Sequence, residues 1–553
     1  MVSRLLKVLA AVGLSLHLAE GLPPQGSSPA VSLSNCKAST FSAALAAANA
    51  TLEKISPISQ GGSFGEGAAN IPYPTNPTNL PELCALIVKV PSSGVSSFRF
   101  GLFLPTTWNG RFLAVGNGGF AGGIPWVEMG PGAHYGMATV ATDTGHSSSA
   151  TDMRWALKKP ESKTDWGWRA MSGSVSLGKK LTNAYYGSTI HHSYYNGCSS
   201  GGRQGLKQIQ LAPDSFDGIL VGAPAWWTSH MNPYVVQLSK YNLPASSAGH
   251  MTFTQFGIIA NEVLRQCDSA DGVSDQLLSA PDLCTFSFDP ITCGKPGVDP
   301  SKCITAAQVR TAKSVYSNWT SPTDGSLLHP GLELGSEWNW LLLADESEAP
   351  FGLSFVRYFL YDDPSYPLSR FNETVVRDAE RLNPGGVTAD QYDLSAFKSR
   401  GGKIIMWHGM ADGVVTPKAS DLYYTRVADA MGGMYRLYDF FRYFKLPGVQ
   451  HCWGTPLTEL APWMIAGAGQ ASSIGAGEWS VPGFKDADHD ALLALVRWVE
   501  EGTAVDKIVA TNWATQTDPS TPVLRQRPLC PWPRRQVWNG LGNVNRPDGW
   551  SCV

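Results

Sequence analysis

Gly197-Cys198-Ser199-Ser200-Gly201-Gly202 is the stretch that decides the fold. It matches Gly-x-Ser-x-Gly, a pattern in which a serine occupies a tight turn between a strand and a helix. The backbone crowds together at such a turn, so the positions two residues either side of the serine must be small. Residues 194–196 resemble a strand and residues 201–211 the start of a helix. This context predicts a nucleophile elbow with Ser199 as the nucleophile rather than a Gly/Ser loop that matches by accident.

Ser200 is the alternative nucleophile. Centring the pattern on Ser200 puts Cys198 where the first glycine should be. The pattern therefore prefers Ser199.

The regions around the elbow predict an α/β fold. A Ser/Ala/Gly/Pro-rich, irregular stretch extends to about residue 80, and apolar runs then alternate with helix-like segments. Such alternation predicts βαβ units around a parallel sheet. The predicted strands are 85–90, 98–104, 111–116, 137–142, 192–196, 218–223, 403–407 and 435–444, and an apolar helix is predicted at 492–499. Together with the elbow, this pattern predicts an α/β-hydrolase sheet.

The segment between two of these strands has a different character. Between Ala223 and Lys403 the chain holds four cysteines, two glycosylation sequons and many Pro and Asp residues. We therefore predict a large inserted lid domain at 226–398, and a catalytic domain built from 22–225 and 399–553.

A serine hydroxyl needs a base to take its proton, and the base needs an acid to orient it. In this fold class the chain order is Ser, acid, His. Asp412 lies in the loop after the predicted strand 403–407 and is the candidate acid, although a turn residue before Gly413 is the alternative reading. Asp421 is predicted to lie in a helix instead.

The base is expected in a loop after the next strand. His451 occupies such a loop, after residues 436–444. His489 lies further along but is predicted to begin the last helix. His408 is predicted to be a structural neighbour of the acid loop. His451 is therefore the candidate base.

Ester hydrolysis passes through an oxyanion that needs preorganised N–H donors. One predicted donor is the backbone amide of Ser200. The second is predicted in the glycine-rich run 115–123, with Gly118 as the candidate. This run loosely imitates a dinucleotide-binding fingerprint, but the acidic residue expected about 20 positions later is not convincingly placed.

Several features indicate a secreted protein. Residues 1–21 are typical of a signal peptide, because Arg4 and Lys7 precede a short apolar run that ends at Ala19-Glu20-Gly21. A membrane-spanning helix needs roughly 20 apolar residues, more than this run or any later one supplies. Sequons at Asn49, Asn318 and Asn372 agree with secretion. The net charge of −3 offers no basic surface for nucleic acid or an anionic membrane, and no motif indicates an oligomeric state.

Ten cysteines in an oxidising compartment favour five disulfides. A zinc site would need closely spaced Cys/His pairs, which the sequence lacks. Short spacings suggest three local bridges, and two cysteines could tie down the N-terminal stretch, although spacing alone does not fix connectivity. These pairs are Cys267 with Cys284, Cys293 with Cys303, Cys530 with Cys552, and Cys36 with Cys84.

The Cys-Ser pair at Cys198 and the His-Cys pair at Cys452 resemble the fungal tannase and feruloyl esterase family. The resemblance covers nearly the whole mature chain, from Cys36 to the C-terminus. It implies a disulfide between Cys198 and Cys452, beside the catalytic Ser and His. It also implies that Ser199, Asp412 and His451 form the triad.

An acidic loop in the predicted lid bunches three carboxylates, which suits either calcium or a solvated turn. It is not an EF-hand, because the spacing differs and the closing Glu is absent. The family resemblance implies a structural calcium held by three side chains and two main-chain carbonyls. The implied ligands are Asp268, Asp271 and Asp275, with the carbonyls of Val273 and Leu277.

The resemblance implies hydrolysis of phenolic acid esters. Hydroxycinnamate (feruloyl) esters of plant cell-wall polysaccharides are the expected substrates, with gallate esters, the substrates of tannases, as the alternative. A catalytically dead carbohydrate-binding or adhesion protein is the reading from another class, and the complete triad argues against it.

Overall fold

The computed structural model describes residues 31–344, 351–475 and 480–553. The predicted signal peptide, 1–21, lies outside the described residues. Among the described helices, none has the length and apolar character needed to cross a membrane.

A large mixed sheet forms the centre of the molecule. The strands are β1 (Thr51–Ile58), β2 (Leu83–Pro91), β3 (Ser97–Pro105), β4 (Arg111–Val115), β5 (Ala138–Thr142), β6 (His192–Cys198), β7 (Gly218–Gly222), β8 (Trp319–Thr320), β9 (Leu327–His329), β10 (Lys403–Gly409), β11 (Phe441–Leu446), β12 (Ile508–Thr515), β13 (Asp518–Leu529), β14 (Gln536–Trp538) and β15 (Trp550–Cys552). Nine of them form one sheet in the order β1-β2-β3-β5-β4-β6-β7-β10-β11. Three two-stranded sheets hold the remainder.

The sheet is antiparallel at one side and parallel through the rest. β1, β2, β3 and β5 pair antiparallel in that order. β5, β4, β6, β7, β10 and β11 then run parallel. The carboxyl ends of the parallel strands meet at one edge, and ligands of open α/β sheets bind outside that edge.

Helices flank this sheet and fill the long connection between β7 and β10. They are α1 (Ala38–Ala47), α2 (Trp126–His134), α3 (Pro160–Thr164), α4 (Ala170–Tyr186), α5 (Ser200–Leu211), α6 (Thr228–Asn242), α7 (Phe253–Cys267), α8 (Ala306–Tyr316), α9 (Leu341–Ala344), α10 (Gly352–Ser354), α11 (Thr374–Leu382), α12 (Ser395–Ser399), α13 (Pro417–Ala430), α14 (Gln470–Ser473) and α15 (Ala491–Glu501). Turns of π-helix join α3 to α4 and extend α10.

Both faces of the sheet are buried, which explains why its central strands read as continuous apolar runs. On β10, Ile405 and Trp407 belong to the core shared with α2 and α15. Ile404 and Met406 belong to the core shared with α1, α4, α5 and α13. Each side chain of this kind contributes about 1.5–3 kcal/mol by burial. The mixed sheet covered by helices on both faces is the α/β-hydrolase fold that the sequence predicts.

The predicted lid segment, 226–398, lies between two strands that are neighbours in the sheet. It contains α6 to α12 and contributes most of a third apolar core, which also includes Phe120 and Trp166 from the catalytic region. The division into domains stays a prediction.

The structure differs from the predicted strands at several places, and the hairpin of β12 and β13 near the C-terminus was not predicted. The predicted strand 435–444 begins too early in the sequence. A 3-10 turn occupies Met434–Arg436, and β11 begins only at Phe441. Tyr435 lies on this 3-10 turn and Tyr438 lies between the turn and β11, and both side chains are exposed. The irregular N-terminal stretch also contains β1, an edge strand in which no residue is fully buried and the sequence therefore lacks an apolar pattern.

All ten cysteines form disulfides, as the sequence predicts. The pairs are Cys36–Cys84, Cys198–Cys452, Cys267–Cys284, Cys293–Cys303 and Cys530–Cys552.

Candidate active site

Ser199 lies between β6 and α5 with a φ of +61°. A non-glycine residue rarely adopts a positive φ, and such strain clusters at functional turns. The neighbouring glycines are sterically required, because a Cβ on Gly197 would lie 2.7 Å from the Gly201 carbonyl oxygen. A Cβ on Gly202 would lie 2.5 Å from the Gly222 carbonyl oxygen. The sequence therefore folds here into the sharp turn that presents the Ser199 side chain.

Asp412 and His451 meet directly. Asp412 follows β10 and is fully buried, and its Oδ2 accepts a hydrogen bond from His451 Nδ1 at 2.6 Å. Its Oδ1 accepts the backbone amides of Val414 at 2.8 Å and Val415 at 2.9 Å. Because Nδ1 carries the proton, Nε2 of His451 is left to accept one.

The charge on Asp412 is maintained despite its burial. Burial opposes ionisation, but the charge of His451 and hydrogen bonds from His408 and His451 outweigh it and hold the pKa of Asp412 well below its usual range. An ionised carboxylate at this position fixes the imidazole tautomer and stabilises the imidazolium formed during catalysis.

His408 is the second imidazole that contacts Asp412. Its Nε2 lies 3.1 Å from Asp412 Oδ2 and 2.8 Å from the Val415 carbonyl oxygen, so Nε2 donates to two acceptors. Its Nδ1 accepts from the Ser420 hydroxyl at 2.8 Å. Buried and fully engaged, His408 acts as a support for the acid loop.

The Cys198–Cys452 disulfide joins the elbow to the histidine loop. Its two Cα atoms are 6.0 Å apart, although the cysteines are separated by 254 positions in sequence. Each cysteine is adjacent to a candidate catalytic residue, Ser199 or His451, and both of these residues line one cavity. The disulfide therefore limits how far the nucleophile and base can move apart.

The alternative acid and base lie elsewhere. Asp421 is in α13 and accepts hydrogen bonds from Tyr443 and Lys445. His489 Nδ1 lies 2.8 Å from Asp486 Oδ1, just before α15. Neither side chain lines the cavity that contains Ser199.

The loop after β4 approaches the elbow, as expected for an oxyanion hole. The Asn117 amide donates to Gln204 Oε1 at 2.9 Å, and the Asn117 side chain donates to the carbonyls of Gly123 and Thr142. These bonds fasten the loop to α5 and to the end of β5. The Gly118 amide points into the cavity, where it donates to the Tyr73 hydroxyl at 2.9 Å.

The cavity above Ser199 has a volume of about 900 Å³, enough for an aromatic acid and part of an alcohol. The predicted lid supplies an apolar part of its wall: Met231, Val235, Leu342 and Phe351. The loop 71–78, the loop after β4, α2, the elbow and the segment 451–475 supply most of the rest.

The acidic loop of the lid offers oxygen donors. Asp268 Oδ1 accepts the amides of Asp275 and Leu277, both at 3.1 Å. Asp271 Oδ2 and Asp275 Oδ1 are buried without a hydrogen-bond partner, which suits a hard cation. However, no three metal-ligating side chains converge within the described residues, and Asp275 Oδ2 is bonded to the buried guanidinium of Arg527.

Sequence reasoning missed four residues around the catalytic group: Tyr73, Glu128, Gln204 and Trp453. Gln204 lies five positions after Ser199 and follows from no motif. Trp453 directly follows the His451-Cys452 pair, whereas Tyr73 and Glu128 reach the cavity through tertiary contacts that no local pattern records.

Comparison with known proteins identifies the family. The family model "Tannase and feruloyl esterase" matches residues 84–346 and 368–553. The chain is 32% identical to a probable feruloyl esterase B-2 of Aspergillus terreus over 504 residues, which are 89% of this chain and 91% of that protein. It is 33% identical to feruloyl esterase C of Talaromyces stipitatus over 482 residues, 87% of each chain.

Solved structures agree with this assignment. The crystal structure of feruloyl esterase B from Aspergillus oryzae superposes with a TM-score of 0.84 at 30% identity, covering 94% of this chain and 99% of that one. A tannin acyl hydrolase from Aspergillus niger shares the fold, with a TM-score of 0.70 at 20% identity over 95% and 96% of the two chains. The chain described here belongs to the tannase and feruloyl esterase family.

Proposed function

We propose that this protein is a serine esterase that hydrolyses hydroxycinnamate esters. The observation that carries the proposal is the 2.6 Å contact between Asp412 and His451, tied by a disulfide to the strained Ser199 turn. A binding protein would have no need of a buried, ionised carboxylate behind a histidine in the same cavity as that turn.

The reaction is acyl transfer in two steps. Ser199 Oγ attacks the ester carbonyl while His451 Nε2 takes the hydroxyl proton, and Asp412 stabilises the resulting imidazolium. The imidazolium then gives this proton to the leaving alkoxide, which departs as the alcohol. Water, deprotonated by His451, attacks the Ser199 ester, and the acid is released with Ser199 restored.

The oxyanion is stabilised by backbone donors. The amide of Ser200, at the first residue of α5, is one of them. The Gly118 amide is the other, and the substrate oxygen takes the position in which Tyr73 Oη accepts this amide in the free protein. Removal of one such donor costs about 3–4 kcal/mol in other hydrolases.

The cavity wall favours a hydroxycinnamate acyl group over a gallate one. Gallate carries three hydroxyls that need partners once buried, whereas the lid contributes Met231, Val235, Leu342 and Phe351 to the wall. The relatives over most of the chain are named feruloyl esterases. The tannin acyl hydrolase of Aspergillus niger is only 20% identical and supports the fold alone.

Steady-state kinetics with methyl ferulate, caffeate, p-coumarate, sinapate and gallate test the proposal. We expect at least one hydroxycinnamate to exceed gallate in kcat/KM by about tenfold, which corresponds to about 1.4 kcal/mol of transition-state binding. A tenfold preference for gallate would assign the protein to the tannase branch.

We further propose that the acidic loop binds a structural calcium ion. Asp268, Asp271 and Asp275, with the carbonyls of Val273 and Leu277, would hold it, which requires the three carboxylates to converge and Asp275 Oδ2 to leave Arg527. Burial first, and then the neighbouring Asp275 carboxylate, raise the pKa of Asp271. A bound cation would offset this rise in the pKa of Asp271. The ion would stiffen the lid and take no part in the chemistry.

The extracellular location is also part of the proposal. The five disulfides require an oxidising compartment. Asn49, Asn318 and Asn372 are all exposed and therefore accessible to glycosylation.

A further inference from the structure

Two residues that face the cavity take no part in the chemistry proposed above. Trp453 is two positions from His451, lines the mouth of the cavity and is 46% exposed. Its ring stacks on no other aromatic side chain among the described residues. Glu128, in the first turn of α2, lines the same cavity. An exposed indole and a carboxylate that line the same cavity suggest a ligand-binding surface.

Gly469 connects these two side chains. Glu128 Oε2 accepts the Gly469 amide at 2.9 Å. A Cβ on Gly469 would lie 4.0 Å from Trp453 Cδ1 and 3.8 Å from Cys452 Cβ. The carboxylate and the indole are therefore neighbours at one section of the wall, beside the disulfide.

The second carboxylate oxygen has no partner in the described part of the chain. Glu128 Oε1 is buried and accepts no hydrogen bond. A carboxylate oxygen accepts hydrogen bonds and, when ionised, donates none, and leaving it unsatisfied costs free energy. The Glu128 charge also helps, after burial, to raise the pKa of the Tyr73 hydroxyl to about 12. This section of the wall therefore suits a ligand rich in hydroxyl donors.

The mechanism decides which half of the ester reaches this section. His451 must hand its proton to the oxygen of the leaving alcohol, so that oxygen lies beside the imidazole. The alcohol consequently extends along the histidine loop, toward Trp453. The apolar lid residues remain for the acyl group.

We propose that Trp453 and Glu128 form a sugar-binding subsite for the alcohol half of the ester. The inference rests on the proposed esterase function. The C–H face of a sugar ring stacks on the indole, which is a rigid platform with a large contact area. Sugar hydroxyls donate to the Glu128 carboxylate, which lines the cavity. The subsite would make feruloylated oligosaccharides better substrates than simple alkyl esters.

The test compares a feruloylated arabinoxylan oligosaccharide with methyl ferulate. In Trp453→Ala the ratio of kcat/KM for the oligosaccharide to kcat/KM for methyl ferulate should fall by about tenfold, mainly because KM for the oligosaccharide rises. Trp453→Phe should recover part of this ratio. Glu128→Gln keeps an oxygen for the Gly469 amide and should lower the ratio by about tenfold, because a charge-assisted bond is lost.

Tyr435→Ala is the matched control. Tyr435 is an aromatic residue that is 64% exposed and does not line the cavity, so both rates should stay as in the wild type.

Three results would overturn the subsite. The ratio could remain at the wild-type value in both Trp453→Ala and Glu128→Gln. Both esters could lose rate equally. Finally, the Glu128→Gln loss could appear with methyl ferulate and disappear with methyl cinnamate, which would assign Glu128 to the acyl phenol. A wild-type protein inactive on both ferulate esters would instead reject the esterase proposal.

Discussion

At the scale of single residues, the candidate site depends on a chain of contacts behind the nucleophile. Ser199, Asp412 and His451 could be predicted, because a local motif and a fixed chain order define them. His408 could be predicted only as a neighbour of the acid loop. Its three hydrogen bonds depend on residues brought together by folding and have no sequence pattern.

Removal of His408 tests this support. In His408→Leu, Asp412 loses a donor, and its pKa should rise toward the ordinary value. We expect kcat to fall about tenfold with KM little changed, because one charge-assisted bond is worth about 1.5–3 kcal/mol. His408→Gln, which can still donate from an amide, should be milder. Equal kcat values for the wild type and both variants would contradict the assigned role.

The same variant changes the pH dependence of stability. A carboxyl whose folded pKa is depressed contributes stability above its unfolded pKa of about 3.9 and loses it as pH falls through the folded value. Asp412 is such a group, and His408→Leu reduces its contribution. The Tm difference between wild type and variant should therefore be largest near neutral pH and shrink below about pH 4. A Tm difference that grows as the pH falls would contradict a stabilising charge on Asp412.

At the scale of elements, the elbow strand and helix are held to the histidine loop by a covalent bond. The central strands could be predicted because both faces of β10 and its neighbours are buried, which leaves continuous apolar runs. The edge strand β1 could not be predicted, since none of its residues is fully buried. The Cys198–Cys452 pairing followed from the family resemblance, because a separation of 254 positions carries no local signal.

Replacement of Cys198 and Cys452 together by Ala tests the disulfide's catalytic role. We expect kcat to fall by about tenfold or more, since small displacements of reacting groups cost rate. Loss of a native disulfide also costs about 2–5 kcal/mol of stability. The control is Cys293→Ala with Cys303→Ala, which opens a lid loop with a separation of 10 positions and should leave kcat unchanged. Equal kcat in the two double variants would refute the role.

At the scale of the whole molecule, the C-terminal region and the predicted lid meet at the acidic loop. Arg527 of β13 binds Asp275 in a largely buried contact, and its guanidinium stacks on Trp550. The change in composition between Ala223 and Lys403 predicts an inserted lid, and this division stays a prediction. The Arg527 contact could not be predicted, because it joins residues separated by 252 positions.

Chelation tests the calcium proposal. A ligand that binds only the folded state at 100 times its Kd stabilises by about 2.7 kcal/mol, so EDTA should lower Tm and excess calcium should restore it. Hydrolysis well below Tm should continue. Asp271→Asn should lower Tm and abolish the response to EDTA. If no ion is bound, the same variant relieves repulsion between carboxylates and raises Tm. That rise, with no calcium in elemental analysis, would reject the site.

The most direct test of the account is to identify the covalent intermediate. The protein is mixed with excess methyl ferulate, quenched in acid within the first turnover, digested and examined by mass spectrometry. We predict a feruloyl ester on Ser199, in the peptide that contains Cys198 and Ser200, and no adduct or turnover above a residual level in Ser199→Ala. Near-normal hydrolysis by Ser199→Ala, or an adduct on a different residue, would contradict the account.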